Sequence, residues 1–343
     1  DFYIRDTKGI LGKGKSLPSI YGASEPQMNA NNLRTKGYEL VLGWRDSFKL
    51  AGSTFSYGIT GTFSDYTAEY TKCDNPTGLI GDPYVGKKYG EIWGYKVDGL
   101  FRNNKEAAEY ASRIDLSTVA SGYYTATGAY GKGVRGGDIK YLDLNGDNIV
   151  NGGKGTLDDP GDRRVIGNSS PRYQYGASLN FSWYGFDVSV FMQGIGRLDW
   201  YPGADNLRFW GPYCRPYATF VPKNFMSQVW SEENPDAYFP RARAYTSLNS
   251  NSGTAYYNND RYLQNLAYCR LKNLTIGYTI PRRLTSKVGI KECRIYFSGE
   301  NLATWSALKS DFLDPEQAAA DSDKKANVYP WCKTYSIGLN LTF

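Results

Sequence analysis

The last ten residues of the chain, Thr334 to Phe343, read Thr-Tyr-Ser-Ile-Gly-Leu-Asn-Leu-Thr-Phe. Successive side chains of a β-strand point to opposite faces, so this stretch has a small polar face and an apolar one. The apolar positions are Tyr335, Ile337, Leu339, Leu341 and Phe343. A tilted strand of about ten residues can cross a bilayer. The stretch therefore predicts either a membrane-crossing strand or the last strand of a soluble sandwich.

The same alternation recurs along the chain. In residues 54–66 and 171–183 the second face carries mostly Ser, Thr, Gly and Asn, whereas a soluble sandwich usually shows Lys, Glu and Arg to water. Tyr184-Gly185 then predicts a tight hairpin turn. Further strands are expected at 1–7, 37–45, 89–101, 186–192, 267–280 and 293–301, with residues 8–36 as a loop. This pattern favours an all-β chain, the wall of a large antiparallel transmembrane β-barrel with long outer loops.

Composition narrows the class of protein. The 343 residues include 30 Tyr and 8 Trp, side chains that suit membrane interfaces and sugar-binding surfaces. No run of 18 apolar residues predicts a membrane-spanning helix. The absence of His excludes catalytic triads and zinc sites that use imidazole. The net charge of +6 is dispersed without a basic run, so nucleic acid is a poor candidate partner. The five Cys form no metal motif.

Several segments, in this order, resemble the C-terminal barrel half of the SusC-type TonB-dependent transporters. The resemblance rests on Gly90–Phe101, Gly137–Asp147, Asp162–Gly167, Pro171, Tyr184–Val190, Leu271–Pro281, Ser298–Leu302, Asp314–Glu316 and the terminal Phe343. It implies a barrel of about 22 strands around an N-terminal plug, as in outer-membrane transporters of Gram-negative bacteria. It also implies energy coupling through TonB and a lid formed by a SusD-type lipoprotein. The plug, the coupling motif, the early strands and the remaining barrel are expected outside residues 1–343, which form one barrel segment.

Loop lengths predict the topology. Outer-membrane barrels have short periplasmic turns and long outer loops. The short connections near 47–53, at 184–185 and at 281–292 are therefore expected in the periplasm, and the long ones at 198–261 and 302–333 outside. Residues 67–170 are irregular, with a short helix at Asn104–Ser112 whose N-cap is an Asn. This segment adds either no crossing or two, so the chain supplies about eight or ten strands.

An acidic loop, residues 143–151, predicts a divalent cation site. Oxygen ligands at alternate positions can wrap around Ca²⁺, as at the start of an EF-hand loop. The candidate ligands are Asp143, Asn145, Asp147, the carbonyl of Ile149 and, displaced by residues 152–161, Asp162. Asn148 stands where Gly is usual, and no Glu occupies the twelfth place. We expect calcium in a structural role; the alternative is a turn of Asx residues without metal.

Aromatic side chains of the long loop 198–261 are candidates for substrate binding. The candidates are Trp200, Tyr201, Trp210 and Tyr213, among neighbours that include Phe209, Tyr217 and Trp230. Such rings stack on sugar rings or peptide side chains; the alternative is packing between loops. Adjacent carboxylates such as Asp158-Asp159 are expected to be solvated turns rather than a glycosidase pair.

The resemblance implies active import of an oligosaccharide or peptide across the outer membrane, with a SusD-type lid and no bond broken, so we expect no enzyme. The alternative is a surface-exposed, calcium-dependent glycan-binding β protein without transport. A secreted glycosidase is a third reading.

Overall fold

A computed structural model of the chain describes residues 1–13, 20, 22, 26–125, 133–214, 221, 223–243, 255–310, 312–320, 329 and 331–343. The strands are β1 (Phe2–Lys13), β2 (Gln27–Leu50), β3 (Ser53–Lys72), β4 (Glu91–Tyr95), β5 (Val97–Leu100), β6 (Ile139–Tyr141), β7 (Arg163–Asn168), β8 (Arg172–Trp183), β9 (Phe186–Arg197), β10 (Asp199–Trp200), β11 (Gln264–Asn265), β12 (Tyr268–Thr279), β13 (Glu292–Ser306) and β14 (Thr334–Thr342). The α-helices are α1 (Asn104–Ala111), α2 (Ser121–Thr125), α3 (Leu207–Trp210) and α4 (Arg282–Thr285). Within the described ranges, no helix is long and apolar enough to cross a membrane.

Eight strands form one sheet in the order β1-β2-β3-β8-β9-β12-β13-β14. Every neighbouring pair in it is antiparallel. The other strands pair as three small sheets, β4 with β7, β5 with β6 and β10 with β11. The described residues between β3 and β8 therefore add no strand to the large sheet, and the wall has eight strands rather than ten.

Two boundaries differ from the sequence-based expectation. Residues 8–36 were expected to form a loop, but β1 continues to Lys13 and β2 begins at Gln27. The two strands pair as far as Lys13 with Gln27, because ladder hydrogen bonds do not require the apolar alternation that the prediction used. The N-cap of α1 is Asn103, one residue earlier than the helix start Asn104; its side chain accepts the amide of Glu106 at 2.9 Å.

Two tight turns lie side by side at one end of the sheet. Ala51-Gly52 and Tyr184-Gly185 both have positive φ at their two residues, as two-residue hairpins of type I′ require. The hydroxyl of Tyr184 donates to the carbonyl of Ala51, and the indole of Trp183 donates to the carbonyl of Leu50 at 3.2 Å. The short connections therefore share one end, as the loop lengths predicted.

The register aligns the apolar positions of all eight strands on one face. Leu179 lies opposite Ile59 on one side and Val190 on the other, and Ile276 lies opposite Val188 and Phe297. We call this surface the apolar face. Its side chains remain open to the surroundings: Ile337 is 83% exposed. A water-soluble sandwich would bury such a face against a second sheet, whereas a barrel turns it to lipid.

Aromatic rings border the apolar face at both ends. Next to the tight turns, Phe48 contacts Phe55 with ring centroids 5.2 Å apart, and Phe186 contacts Tyr278 at 4.6 Å. At the far end, a row of rings runs across four strands: Phe2, Tyr38, Phe63 and Tyr173. Such paired girdles mark the two membrane interfaces of outer-membrane barrels.

The opposite face of the sheet, which we call the polar face, carries an ion pair that lies directly against a strand. Arg294 of β13 and Asp187 of β9 form a 2.5 Å ion pair that passes over Gly277 of the intervening strand β12. A Cβ at Gly277 would come within 2.5 Å of both side chains, so only glycine leaves room for the pair. The ion pair thereby ties three strands together on the side that lines the lumen of a barrel.

Candidate functional site: the outer loop assembly

The long connections opposite the tight turns fold together into one body, which we call the outer loop assembly. It comprises the described residues of 91–168, 198–267 and 308–320. Its three small sheets join distant segments; β4, for example, pairs with β7, and β10 with β11. Among the described residues its core contains 29 buried side chains, of which 13 are aromatic. The assembly is therefore a packed structure rather than a set of free loops.

Trp210 lies at the centre of this core and is fully buried. Its ring is 4.8 Å from Phe209 and 5.1 Å from Tyr262, both edge-on, and 6.4 Å from Phe239. Edge-to-face aromatic pairs add to the free energy gained by burying their area. The rings of this segment therefore hold its loops together.

The four aromatic residues predicted to bind substrate all lie inside this core. Trp200, Tyr201, Trp210 and Tyr213 are at most 5% exposed. Trp210 donates to the carbonyl of Gly203 at 3.1 Å, and Tyr213 to that of Pro240 at 2.5 Å. In this structure the four rings pack between loops, which is the alternative to substrate binding, and a role in binding substrate stays a prediction for them. Phe209 and Trp230 are buried as well, and Tyr217 lies outside the described residues.

Polar atoms inside the core are paired with one another. The hydroxyl of Tyr201 donates to the carbonyls of Ala255 and Tyr257, each at 3.0 Å, and accepts the amide of Asn259 at 2.9 Å. Burial raises the pKa of Tyr201 well above its usual value. The phenol therefore remains protonated and keeps donating across the pH range in which proteins fold.

The acidic loop is held by hydrogen bonds from its own backbone. The carboxylate of Asp143 accepts the amides of Gly146 and Asn148 at 2.7 and 2.9 Å, and Asp147 accepts that of Ile149 at 2.8 Å. Asn145 accepts the amide of Asp147 at 3.1 Å. These contacts are those of Asx turns. They bring the predicted ligands together within one loop, and calcium there stays a prediction.

Asp162 joins the acidic loop from 11 to 19 residues further along the chain. It is fully buried and accepts the amides of Leu144 and Asn151 at 2.7 and 2.9 Å, with Asn145 at 3.3 Å. Asp162 thus lies in the same loop region as the other candidate ligands, and its role as a metal ligand stays a prediction. Among the described residues, however, no group of three or more Asp, Glu, Cys or His side chains has the spacing of a metal site.

A buried ion pair, which the sequence reading did not single out, links two parts of the assembly. Asp138 and Arg243 are 2.6 Å apart, with side chains 1% and 4% exposed. The guanidinium of Arg243 also lies 4.1 Å from the ring centre of Tyr123. Burial raises the pKa of Asp138 to about 6, against the opposing effect of the Arg243 charge. The only signal in the sequence was that Asp138 falls within a segment that carried the family resemblance.

A second ionic cluster fixes the outer loop that follows β13. Glu316 accepts hydrogen bonds from Lys272 at 2.8 and 2.9 Å and from Arg270 at 2.8 Å. Both cations belong to β12, where they interrupt the small polar side chains usual on the polar face. The segment Asp314-Pro-Glu316 was noted in the sequence only as part of the family resemblance. In the structure its carboxylates dock the outer loop on the wall.

Comparison with known proteins agrees with this architecture. No family model matches the sequence. TonB-dependent receptor P3 of Formosa agariphila is 24% identical over 365 aligned residues, and TonB-dependent receptor P26 of the same organism is 25% identical over 363. Each alignment covers 100% of this chain and 32% of the relative, so the chain spans about a third of the length of these curated relatives.

Solved structures show the same fold. A structure of the RagAB peptide transporter matches with a TM-score of 0.60 at 18% identity, over 100% of this chain and 33% of that one. The "closed-closed" state of the RagAB peptide importer gives 0.59 at 20% identity, over 100% of this chain and 33% of that one. The resemblance predicted from the sequence is thus confirmed: the chain is a partial β-barrel wall of the TonB-dependent transporter type, from the outer membrane of a Gram-negative bacterium.

Proposed function

We propose that this chain forms wall and outer loops of a SusC-type TonB-dependent transporter that imports an oligosaccharide or a peptide. The observation that carries the proposal is the eight-stranded sheet with an apolar face left open between two aromatic girdles, joined to a packed loop assembly at one end. Similarity to TonB-dependent receptors along the whole chain supports it. The protein moves its ligand and breaks no bond in it.

The other parts of such a transporter belong to further segments of the complete protein and to partner proteins. A plug and further strands complete the barrel, and a TonB complex energises it through the coupling segment of the complete protein. A SusD-type lipoprotein covers the outer loop assembly as a lid. The packed state of that assembly supports this role, because a rigid surface can be bound with less loss of conformational entropy than mobile loops.

Cellular uptake by the complete protein tests the proposal. Cells that express the intact transporter and its lipoprotein would receive fluorescently labelled oligosaccharides in one assay and labelled peptides in another. Accumulation of one class should require the transporter gene and should stop with a protonophore or with a deleted coupling segment. The control is a second, unrelated TonB-dependent substrate in the same cells.

A different result would support the alternative reading. Surface binding of a glycan that depends on Ca²⁺, without energy-dependent accumulation, would indicate a glycan-binding protein and contradict transport. Extraction of the intact protein from cells in buffer without detergent would contradict both the proposed function and the membrane location. Hydrolysis of a glycan by the purified protein would indicate a glycosidase.

A further inference from the structure

A groove lies on the apolar face at its outer end, across the first three strands. Its floor is the row of Tyr3, Gly37 and Tyr66, in which the side chains of Tyr3 and Tyr66 belong to the polar face and Gly37 has none. The volume is about 540 Å³. Side chains of the two adjacent rows form its walls: Phe2, Ile4, Lys36, Tyr38, Asp65 and Arg172. We call it the rim groove.

The length of β8 gives the position of the rim groove relative to the membrane. β8 has 12 residues between Arg172 and the tight turn after Trp183. At a rise of ~3.3 Å per residue and a tilt of ~40°, those residues span roughly 30 Å, the thickness of a bilayer's hydrocarbon core. Arg172 and its partner Asp65 therefore lie at the outer membrane interface. The row of rings from Phe2 to Tyr173 lies at the same level, as an aromatic girdle does.

At the level of the groove, charged side chains lie on the apolar face, and among the described residues the ammonium of Lys36 has no carboxylate partner. Below it and between the two girdles, the apolar face of β2 and β3 carries a single charged side chain, that of Asp46 next to the tight turn. At the groove, Arg172 forms a 2.5 Å ion pair with Asp65, and one row higher Arg34 pairs with Asp6 at 2.7 Å. Lys36 is exposed and forms no ion pair with any residue in the described part of the chain. The groove thus combines a free ammonium group with apolar walls.

We propose that the rim groove binds a phosphate-bearing lipid of the outer leaflet. The ammonium of Lys36 contacts the phosphate, and the Arg172–Asp65 ion pair, which carries no net charge, forms the opposite wall. The acyl chains run down the apolar face past Tyr38 and Leu40. The complementarity is twofold: the unpaired ammonium of Lys36 lies where headgroups lie, and apolar side chains lie where acyl chains lie. This inference depends on the membrane location of the wall and not on the transported substrate.

Lipid binding by the intact, delipidated transporter tests the inference. The probe is bis-phosphorylated lipid A, titrated in detergent and followed by native mass spectrometry. Lys36→Gln should weaken binding of one lipid about fivefold, the effect of one cation at a charged interface. Arg5→Gln is the matched control, because Arg5 is an exposed cation at the same height on the polar face. It should bind lipid like the unaltered protein.

Three outcomes would overturn the inference. Equal affinity of the Lys36→Gln and Arg5→Gln variants would show that the rim groove is not the binding site. Equal binding of a diacylglycerol, which has no phosphate, would show that acyl chains alone are recognised. Displacement of the lipid by an equal concentration of inorganic phosphate would indicate an anion site rather than a lipid site. Both variants change an exposed side chain, and the heat-dependent gel mobility of the barrel checks that each is folded.

Discussion

Arg270 of β12 and Asp314 of the following outer loop are joined by a 2.6 Å ion pair between Nη2 and Oδ2, although 44 residues separate them in sequence. The other guanidinium nitrogens are also engaged: Nη1 donates to Glu316 at 2.8 Å and Nε to the hydroxyl of Thr304 at 2.9 Å. The Arg270 side chain is 2% exposed. A buried guanidinium with each nitrogen paired holds the loop against the wall.

The first prediction concerns this docking. Asp314→Ala leaves a buried cation with a partner missing, a change that typically costs about 3–5 kcal/mol. Because the rest of the wall is unaffected, the cost should appear as local opening of residues 307–320. Hydrogen exchange of those amides in the intact protein should accelerate by at least tenfold. Lys309→Ala, an exposed cation in the same loop, is the control; equal exchange in the two variants would argue against the docking role.

The second prediction concerns the wall. Arg placed at Leu179 or Ile276, on the apolar face, should cost about 2–4 kcal/mol near the bilayer midplane. Arg at the adjacent Ser178 or Thr275 should cost less, because those positions face the lumen side. Folding of the intact barrel into lipid vesicles, titrated with denaturant, measures the difference. Equal costs for adjacent positions would show that the facing assignment is wrong.

The third prediction concerns the acidic loop. Replacing Asp143 and Asp147 by Ala removes the acceptors of three backbone amides and should loosen residues 138–167 while the wall strands stay intact. If calcium also binds there, it should do so at about 10⁻⁴–10⁻³ M, as in extracellular modules. Proteolysis of this loop should then rise when a chelator is added to the unaltered protein. If chelator does not change the proteolysis, the calcium site is refuted, and the loop is held by its Asx turns alone.

The fourth prediction concerns pH. Burial raises the pKa of Asp138 to about 6, whereas an unfolded Asp titrates near ~4. Between those values the folded state binds more protons than the unfolded state, so the free energy of unfolding falls as pH rises through this window. Asp138→Asn cannot titrate, and its unfolding temperature should depend less on pH between about 4 and 6.

Tryptophan fluorescence during thermal unfolding of the intact protein measures this effect. Asp236→Asn serves as the control, because the Asp236 side chain is 81% exposed. The control should keep the pH dependence of the unaltered protein. An Asp138→Asn variant with that same dependence would show that Asp138 is ionised throughout the window.

The fifth prediction separates packing from ligand binding. Trp210→Ala empties the centre of the aromatic core and should destabilise the outer loop assembly by roughly 3–5 kcal/mol. Trp331→Ala, which truncates a ring that is 48% exposed, should cost far less. Hydrogen exchange across residues 198–267 reports the difference. Unchanged protection together with weakened substrate binding would return Trp210 to the role first predicted for it.

The sequence by itself determined the wall. Strands such as β8 and β14 show their side-chain period of two directly, because one face meets an apolar medium and the other does not. The hairpin at Tyr184-Gly185 was also predictable, because two alternating stretches meet there at a glycine, which readily adopts the positive φ of a type I′ turn. The acidic loop could also be located, because Asx side chains act on amides only two to five residues away.

Only the tertiary structure decided what the long loops do. Trp200 and Trp210 could have faced a ligand or each other's loops, and no periodicity distinguishes the two, because their partners lie tens of residues away. The ion pairs of Asp138 with Arg243 and of Arg270 with Asp314 were likewise not predictable. Their partners are far apart in sequence and meet only in the folded chain. Strand faces follow from local backbone geometry and the surrounding solvent, whereas loop packing follows from long-range contacts that the folded chain alone defines.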